Sequence, residues 1–228
     1  ITRAVRTLLF DIDGTLLKTA GGGNRAFAKA MEIEFGVSDP DTSISFSGRT
    51  DRSLLLELLE RNEVEATVEH CGRLRRSYLK YFETELTACG GTLLPGAEPL
   101  LRSLAGRDNL VVGVLTGNFP ESATRKLEHF ALRRWVEWII GGDLDVDRND
   151  MARRAQRFIC GRCGSVARQD MIVIGDTPAD IECGHAIGAR VLAVATGTHS
   201  VEELQSKKPW HLATDLSDTE AIVALLTS

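Results

Sequence analysis

Short, uninterrupted apolar runs alternate with helical patterns along this chain, and that alternation limits the folds it can adopt. The runs predict buried strands at residues 7–10, 110–115, 171–174 and 191–194, with a weaker candidate at 136–140. Helical patterns lie between them at 120–130, 150–160 and 178–187. Because continuous apolar runs are typical of strands covered on both faces, the sequence predicts an α/β fold with a doubly wound, mainly parallel sheet.

The stretch between the first two of these strands is different. Residues from about 21 to 88 show helical patterns at 24–35, 51–62 and 64–86 and no convincing strand. A block of this length is too long for a single crossover helix, and glycine and proline punctuate both of its ends. We therefore predict an all-helical domain at residues 20–89, inserted into an α/β core domain formed by residues 1–19 and 90–228.

The composition excludes several classes of protein. The 228 residues carry 27 Lys and Arg against 32 Asp and Glu, a formal net charge of −5, which gives no general attraction to nucleic acid or anionic membranes. No apolar run approaches the roughly 20 residues of a membrane span. Five irregularly spaced cysteines argue against a disulfide framework and for a reducing compartment. We expect a cytoplasmic protein without nucleic-acid or membrane partners, either a monomer or a homodimer.

The first polar motif, Asp11-Ile12-Asp13-Gly14-Thr15, follows the first predicted strand directly. Its two carboxylates can face one pocket only if the backbone turns there, and Gly14 permits such a turn. This edge of an open α/β sheet binds ligands, and paired carboxylates suit a nucleophile and a general acid/base. An aspartate-rich turn explains the same residues equally well.

The second motif, Thr116-Gly117-Asn118, lies between the strand at 110–115 and a helix with Pro120 near its start. A hydroxyl and free N–H groups at a helix N-terminus can bind an anion. A simple helix start is the favoured explanation of this motif when it is considered alone.

The third motif follows the strand at 171–174 and reads Gly175-Asp176-Thr177-Pro178-Ala179-Asp180. Pro178 suits the first helical position, which makes Thr177 the N-cap and Asp180 its capping-box partner. That structural explanation leaves Asp176 without a role. A carboxylate at the carboxyl end of a strand favours a metal ion or another cation.

Together the three motifs indicate more than each does alone, because they follow three different strands. Four carboxylates gathered at one sheet edge, those of Asp11, Asp13, Asp176 and Asp180, would repel one another. Mg²⁺ relieves that repulsion because it prefers oxygen ligands. It also neutralises phosphate beside a nucleophilic carboxylate, so the sequence predicts a metal-assisted phosphoryl-transfer site.

These three motifs resemble the first, second and fourth motifs of the haloacid dehalogenase superfamily, and the likeness covers nearly the whole chain. The helical insert is similar to that superfamily's C1-type cap on a Rossmann-like core. The chain looks most like the phosphoglycolate-phosphatase-like branch. The resemblance therefore implies a Mg²⁺-dependent phosphatase that acts on a small phosphorylated metabolite, such as a phosphoglycolate-like compound or a sugar phosphate.

The resemblance also implies roles for individual residues. Asp11 would attack phosphorus and become an aspartyl phosphate, and Asp13 would act as general acid and then as general base. Mg²⁺ would be held by Asp11, the backbone carbonyl of Asp13 and Asp176, with Asp180 close by. The resemblance further implies that Thr116 and the N–H of Gly117 hold phosphate oxygens and that Asn118 supports their loop.

One motif departs from the pattern. The superfamily's third motif is usually a lysine between the second and fourth, and the only lysine in 118–170 is Lys126. Its mid-helix position predicts a solvated side chain. We expect Arg148 to replace the usual lysine, because its planar guanidinium can pair with both phosphate and Asp11. Arg153 and Arg154 are rival candidates, although their helical positions are more typical of surface charges.

A further candidate is the segment Gly48-Arg49-Thr50-Asp51, which opens a helix of the insert. Similar caps use such a loop for specificity, so Arg49 and Thr50 are expected to bind substrate. Arg49 could reach a carboxylate or a second phosphate. A solvated arginine beside a Thr50 or Asp51 helix cap is an equally good explanation.

Three other functions stay open at this stage. A phosphosugar mutase would share Asp11 and Asp13 but would release little phosphate. A 2-haloacid dehalogenase shares the nucleophile, but that branch lacks a carboxylate at the place of Asp13. A non-catalytic binding protein is the third alternative, although every carboxylate that the chemistry needs is present.

Overall fold

The computed structural model of the protein describes residues 5–163 and 170–228, so the first four residues of the predicted core domain lie outside it. The elements follow in chain order: β1 (Arg6–Phe10), β2 (Leu17–Thr19), α1 (Gly22–Phe35), α2 (Asp51–Arg61), α3 (Val68–Cys89), β3 (Gly91–Leu93), α4 (Ala97–Leu104), β4 (Leu110–Leu115), α5 (Pro120–His129), a 3₁₀ turn (Arg133–Trp135), β5 (Trp138–Ile140), α6 (Arg148–Cys163), β6 (Met171–Gly175), α7 (Pro178–Ala186), β7 (Arg190–Val194), α8 (Val201–Ser206), β8 (His211–Ala213) and α9 (Thr219–Thr227).

The main sheet has six strands in the order β5-β4-β1-β6-β7-β8, and every neighbouring pair is parallel. In the centre, Leu8 of β1 lies opposite Val112 of β4 and Ile172 of β6. The predicted α/β fold with a mainly parallel sheet is confirmed. Because β1 lies between β4 and β6, the loops that follow these three strands meet at one edge of the sheet.

Both faces of the sheet are covered, which explains the continuous apolar runs. Leu8 and Phe10 belong to one buried cluster, which helices α4, α5 and α9 complete, whereas Leu9 points into the opposite one with α6 and α7. Successive side chains of a strand point to opposite faces. A strand buried on both faces therefore needs an apolar residue at every position.

The helical insert, which we define as α1–α3, packs around its own apolar cluster, with Phe27, Leu58 and Phe82 at 0–1% exposure. The three predicted helices are present. The third begins at Val68 rather than at residue 64, because the Thr67 hydroxyl accepts a hydrogen bond from the His70 N–H and caps the helix there.

Two short strands that the sequence did not predict connect the insert to the rest of the chain. β2 and β3 pair antiparallel, with Leu17 opposite Leu93 and Thr19 opposite Gly91. Each has three residues, too few for a recognisable pattern. This strand pair lies where the predicted insert, residues 20–89, joins the core. The boundaries of the insert stay a prediction. Across the described residues no helix has both the length and the apolar character needed to cross a membrane.

Helix α6 also begins earlier than predicted, at Arg148 rather than at residue 150. The carboxylate of Asp147 accepts hydrogen bonds from the N–H groups of Asn149 and Asp150, at 2.7 and 3.1 Å, and so satisfies donors of the first turn. This earlier start makes Arg148 the first residue of the helix, at the edge of the sheet where the three loops meet.

Candidate active site

Three buried carboxylates lie together at this edge of the sheet. Asp11 follows β1, Asp176 follows β6, and Asp180 lies in the first turn of α7; one carboxylate oxygen from each falls within 4.8 Å of the other two. Their exposures are 5, 3 and 0%. An all-oxygen, buried and anionic donor set is what Mg²⁺ binds in proteins, so these residues fit the predicted ion.

The local backbone permits the close approach of Asp176. Gly14 has a φ of +88°, and a Cβ on it would clash with the Asp176 carboxylate, as would a Cβ on Gly197. Thr15 Oγ1 donates a hydrogen bond of 2.9 Å to Asp176 Oδ1. The role of Gly14 in the turn is therefore twofold, since it adopts a left-handed conformation and leaves room for a carboxylate.

Burial makes this cluster electrostatically costly without a cation. Burial raises the pKa of Asp11 to about 7, although the nearby Arg148 lowers it in part. Burial also raises the pKa of Asp176 to about 8, and the charge of Asp11 adds to that shift. A bound cation would reverse both effects, because it stabilises the ionised carboxylates.

Arg148 is the cation that lies on these carboxylates. Its Nη2 donates to Asp11 Oδ1 at 3.1 Å and also forms an ion pair with Asp180 Oδ1. The two rival arginines lie elsewhere: Arg153 pairs with Asp150 at 50% exposure, and Arg154 donates to Asp145 and to the Gly141 carbonyl. Of the three candidates, only Arg148 pairs with Asp11.

The second motif follows β4, which lies on the other side of β1 from β6. Thr116 is fully buried, and its Oγ1 accepts hydrogen bonds from the Asn118 N–H and from Asn118 Nδ2, at 3.3 and 2.8 Å. Asn118 Nδ2 also donates to Asp13 Oδ2 at 2.7 Å. Asn118 therefore links the second motif to the carboxylate of Asp13, which is not one of the three clustered carboxylates.

The prediction that Lys126 is solvated is wrong. Its side chain is only 7% exposed, and Nζ lies 2.6 Å from both Asp13 Oδ2 and Asn118 Oδ1. Ser122, Ala123, Lys126 and Leu127 form the buried stripe of α5 at helical spacing. That periodicity was the signal in the sequence that could have placed Lys126 on an inward face.

The helix-cap explanation of the segment 48–51 holds for Thr50. Its Oγ1 accepts the Ser53 N–H at 3.2 Å and donates to the Val146 carbonyl at 3.0 Å. Arg49 lines the cavity of about 390 Å³ described below, and Thr50 does not. The guanidinium of Arg49 is paired with Glu57 on the same helix.

The sequence placed Asp51 at the start of a helix but did not indicate its contacts with the core. It is 6% exposed, and its Oδ2 accepts the Phe119 N–H at 2.7 Å, while its own N–H donates to the Gly117 carbonyl at 2.6 Å. Burial raises its pKa to about 7. Asp51 thus anchors the N-terminus of α2 directly on the second-motif loop.

A cavity of about 390 Å³ lies between the insert and the core. Asp11, Asp13 and Lys126 line it from the core, and Asn24 and Tyr78 line it from the insert. Carboxylates and cations of the core therefore face a space that both parts of the chain line.

The sequence matches the model of the family described as haloacid dehalogenase-like hydrolase over residues 8–194. A phosphoglycolate phosphatase of Photorhabdus laumondii is 22% identical over 226 residues, which cover 99% of this chain and 95% of that protein. A phosphoglycolate phosphatase of Yersinia pestis is 25% identical over 210 residues, covering 91% of this chain and 88% of that protein.

Solved structures show the same fold. A Haemophilus somnus protein described as a predicted phosphoglycolate phosphatase superposes with a TM-score of 0.73 at 18% identity, covering 96% of this chain and 98% of that one. CbbY from Rhodobacter sphaeroides, solved with phosphate, gives 0.71 at 18% identity over 94% and 96% of the two chains. A variant of CbbY was solved with xylulose-1,5-bisphosphate.

Proposed function

Since the chain belongs to the haloacid dehalogenase-like hydrolases, we propose that it is a Mg²⁺-dependent phosphatase that hydrolyses a small phosphomonoester. One observation carries this proposal: Asp11, in the wall of a cavity, lies beside two further buried carboxylates and pairs with Arg148. A carboxylate nucleophile beside a metal site and a cation is the arrangement that phosphoryl transfer requires.

The metal would be held by the carboxylates of Asp11 and Asp176 and the backbone carbonyl of Asp13, with Asp180 in support. When bound, it would neutralise charge on the phosphoryl group and keep the buried carboxylates ionised. Arg148 adds positive charge next to Asp11. Thr116 and the N–H of Gly117 would supply hydrogen bonds to phosphoryl oxygens.

The residues of the chain would then carry two displacements. A carboxylate oxygen of Asp11 bonds to phosphorus while the bond from phosphorus to the ester oxygen breaks, and Asp13 gives a proton to that leaving oxygen. In the second step Asp13 takes a proton from a water molecule while the oxygen of that water attacks phosphorus. The bond to Asp11 breaks, and inorganic phosphate and free Asp11 result.

The relatives and the cavity support a proposal for the substrate class. The relatives are named as phosphoglycolate phosphatases, and a fold neighbour was solved with a sugar bisphosphate. A cavity of about 390 Å³ admits a small metabolite of either kind. We therefore place the substrate among phosphoglycolate-like compounds and sugar phosphates.

The test is phosphate release from a panel of small phosphomonoesters, with Mg²⁺ and with EDTA. We expect release that depends on the metal and that is lost in Asp11→Asn, which removes the nucleophile. Interconversion of sugar phosphates without phosphate release would favour the mutase, and turnover that survives EDTA or Asp11→Asn would overturn the mechanism.

A further inference from the structure

The proposed reaction has not yet used Lys126, a buried cation in the cavity wall. Its side chain keeps 7% of its surface exposed, whereas the Asp13 side chain it pairs with keeps 38% and faces the cavity. The aromatic ring of Phe82 on α3 lies 5.8 Å from Nζ. Burying an ammonium group is costly unless it is paired, so the contacts of Lys126 determine what it can do.

The two cations of the site serve different carboxylates. Arg148 pairs with Asp11 and Asp180, and Lys126 pairs with Asp13. The nucleophile therefore already has its cation without Lys126. The effect of Lys126 on the reaction has to pass through Asp13 or through Asn118, whose Oδ1 also accepts from Nζ.

The hydrogen bonds to Asp13 converge on one of its two oxygens. Lys126 Nζ and Asn118 Nδ2 both donate to Oδ2, at 2.6 and 2.7 Å. With Oδ2 filled by two donors, a proton on this carboxyl group resides on Oδ1. The same two bonds restrain the side chain of Asp13, which is not among the three clustered carboxylates.

We infer that Lys126 is a positioning residue that, together with Asn118, aims Oδ1 of Asp13 at the oxygen of the leaving group. This inference rests on the proposed phosphatase function. In the first step the proton passes from Oδ1 to the ester oxygen as its bond to phosphorus breaks; Lys126 keeps all of its protons. Lys126 thus serves protonation of the leaving group and not the attack by Asp11.

The choice of leaving group separates protonation of the departing oxygen from attack by Asp11. An alkyl phosphate needs a proton on its departing oxygen, whereas the nitrophenolate of p-nitrophenyl phosphate departs without one. The value of kcat/KM reports only the steps up to departure of the leaving group, so hydrolysis of the aspartyl phosphate does not enter it. We expect Lys126→Met to lower kcat/KM for the best alkyl ester about 100-fold and for p-nitrophenyl phosphate less than about threefold.

Two comparisons make the test specific. Arg125→Met removes the neighbouring cation on the same helix, whose guanidinium donates to the Leu79 carbonyl of the insert, and should leave the ratio of the two kcat/KM values at the wild-type level. In an Asp13→Asn background, Lys126→Met should cost nothing further, because a positioning residue acts through the residue it positions.

Equal losses on both substrates, or an added loss in the Asp13→Asn background, would overturn the inference. If Lys126→Met does not fold, Lys126→Gln keeps a polar head group and the same ratio is measured. Failure of the proposed function gives a different result, since the wild-type protein would then hydrolyse neither ester with Mg²⁺.

Discussion

Charged side chains at the site are arranged in two separate groups. One consists of Asp11, Asp180 and Arg148, in which the guanidinium bridges two buried carboxylates. The other consists of Asp13 and Lys126, which also line the cavity. In the proposed reaction the first group holds the phosphoryl end, and the second serves the leaving group. Arginine suits the first task because its planar group can bond two acceptors at once.

The first group yields a prediction at the residue scale. Arg148→Met should lower kcat/KM about 100-fold or more on alkyl and aryl phosphates alike, because it removes a preorganised cation from the phosphoryl end. Arg153→Met is the matched control, since Arg153 is half exposed and, among the described residues, its ion pair is with Asp150; it should retain wild-type kinetics. Steady-state assays on both esters check this, and a loss confined to the alkyl ester would contradict it.

At the scale of elements, helix α2 connects the insert to the second motif. Its first residues donate N–H groups to core carbonyls, from Asp51 to Gly117 at 2.6 Å and from Arg52 to Gly142 at 3.0 Å. In addition, the Asp51 carboxylate accepts a hydrogen bond from the Phe119 N–H. A glycine is required at position 117, because a Cβ there would clash with the Arg49 carbonyl. The loop of the second motif and the insert are therefore held in a fixed relation to each other.

Burial of Asp51 makes this contact dependent on pH. Its pKa is about 7 in the folded protein against 3.8 as the ordinary value, so the folded state retains a proton that the unfolded chain releases. Its protonated form therefore stabilises the fold, and this contribution falls as pH rises from about 4 to about 7. Asp51→Asn removes the dependence. The variant should gain stability relative to wild type between about pH 4.5 and about pH 8.

Urea unfolding of the wild type and of Asp51→Asn at about pH 4.5 and about pH 8 checks this prediction. Asp108→Asn, the same substitution at an exposed aspartate, is the control. A difference between Asp51→Asn and wild type that is the same at both pH values would falsify the titration of Asp51 over this range.

At the scale of the whole molecule, the parallel sheet gathers negative charge at one edge. β1 and β6 each deliver a carboxylate there, and α7 adds a third. Without a metal, the raised pKa values of Asp11 and Asp176, about 7 and about 8, make the fold less stable as pH rises from about 4 towards 8. A bound Mg²⁺ favours the ionised groups and opposes that loss.

Mg²⁺ should therefore stabilise the protein, and more so at high pH, where it does not compete with protons. At a hundredfold excess over its Kd the gain is about 2.7 kcal/mol, measured as the rise in Tm on replacing EDTA with MgCl₂. We expect a larger rise at about pH 8.5 than at about pH 5.5. Asp176→Asn should abolish most of it; a rise of equal size in that variant would place the ion elsewhere.

Much of the architecture was predictable because its causes are local. A strand buried on both faces needs apolar residues at every position, so the four long runs identified the sheet. Caps such as Thr177 with Asp180 involve neighbours in sequence, and their helix was predicted correctly. Of the four three-residue strands in the described part of the chain, β2, β3 and β8 were missed because a segment this short shows no periodic pattern.

The sequence by itself determined the parallel sheet, the helical insert and the presence of three polar motifs at strand ends. These features depend on the spacing of apolar residues within short segments and on the direction of the chain. The tertiary structure alone decided which cation meets which carboxylate. Lys126 and Asp13 are 113 residues apart, and Arg148 and Asp11 are 137 apart. Whether such side chains are solvated or paired depends on how distant segments pack, and here α3 covers the helix face that carries Lys126.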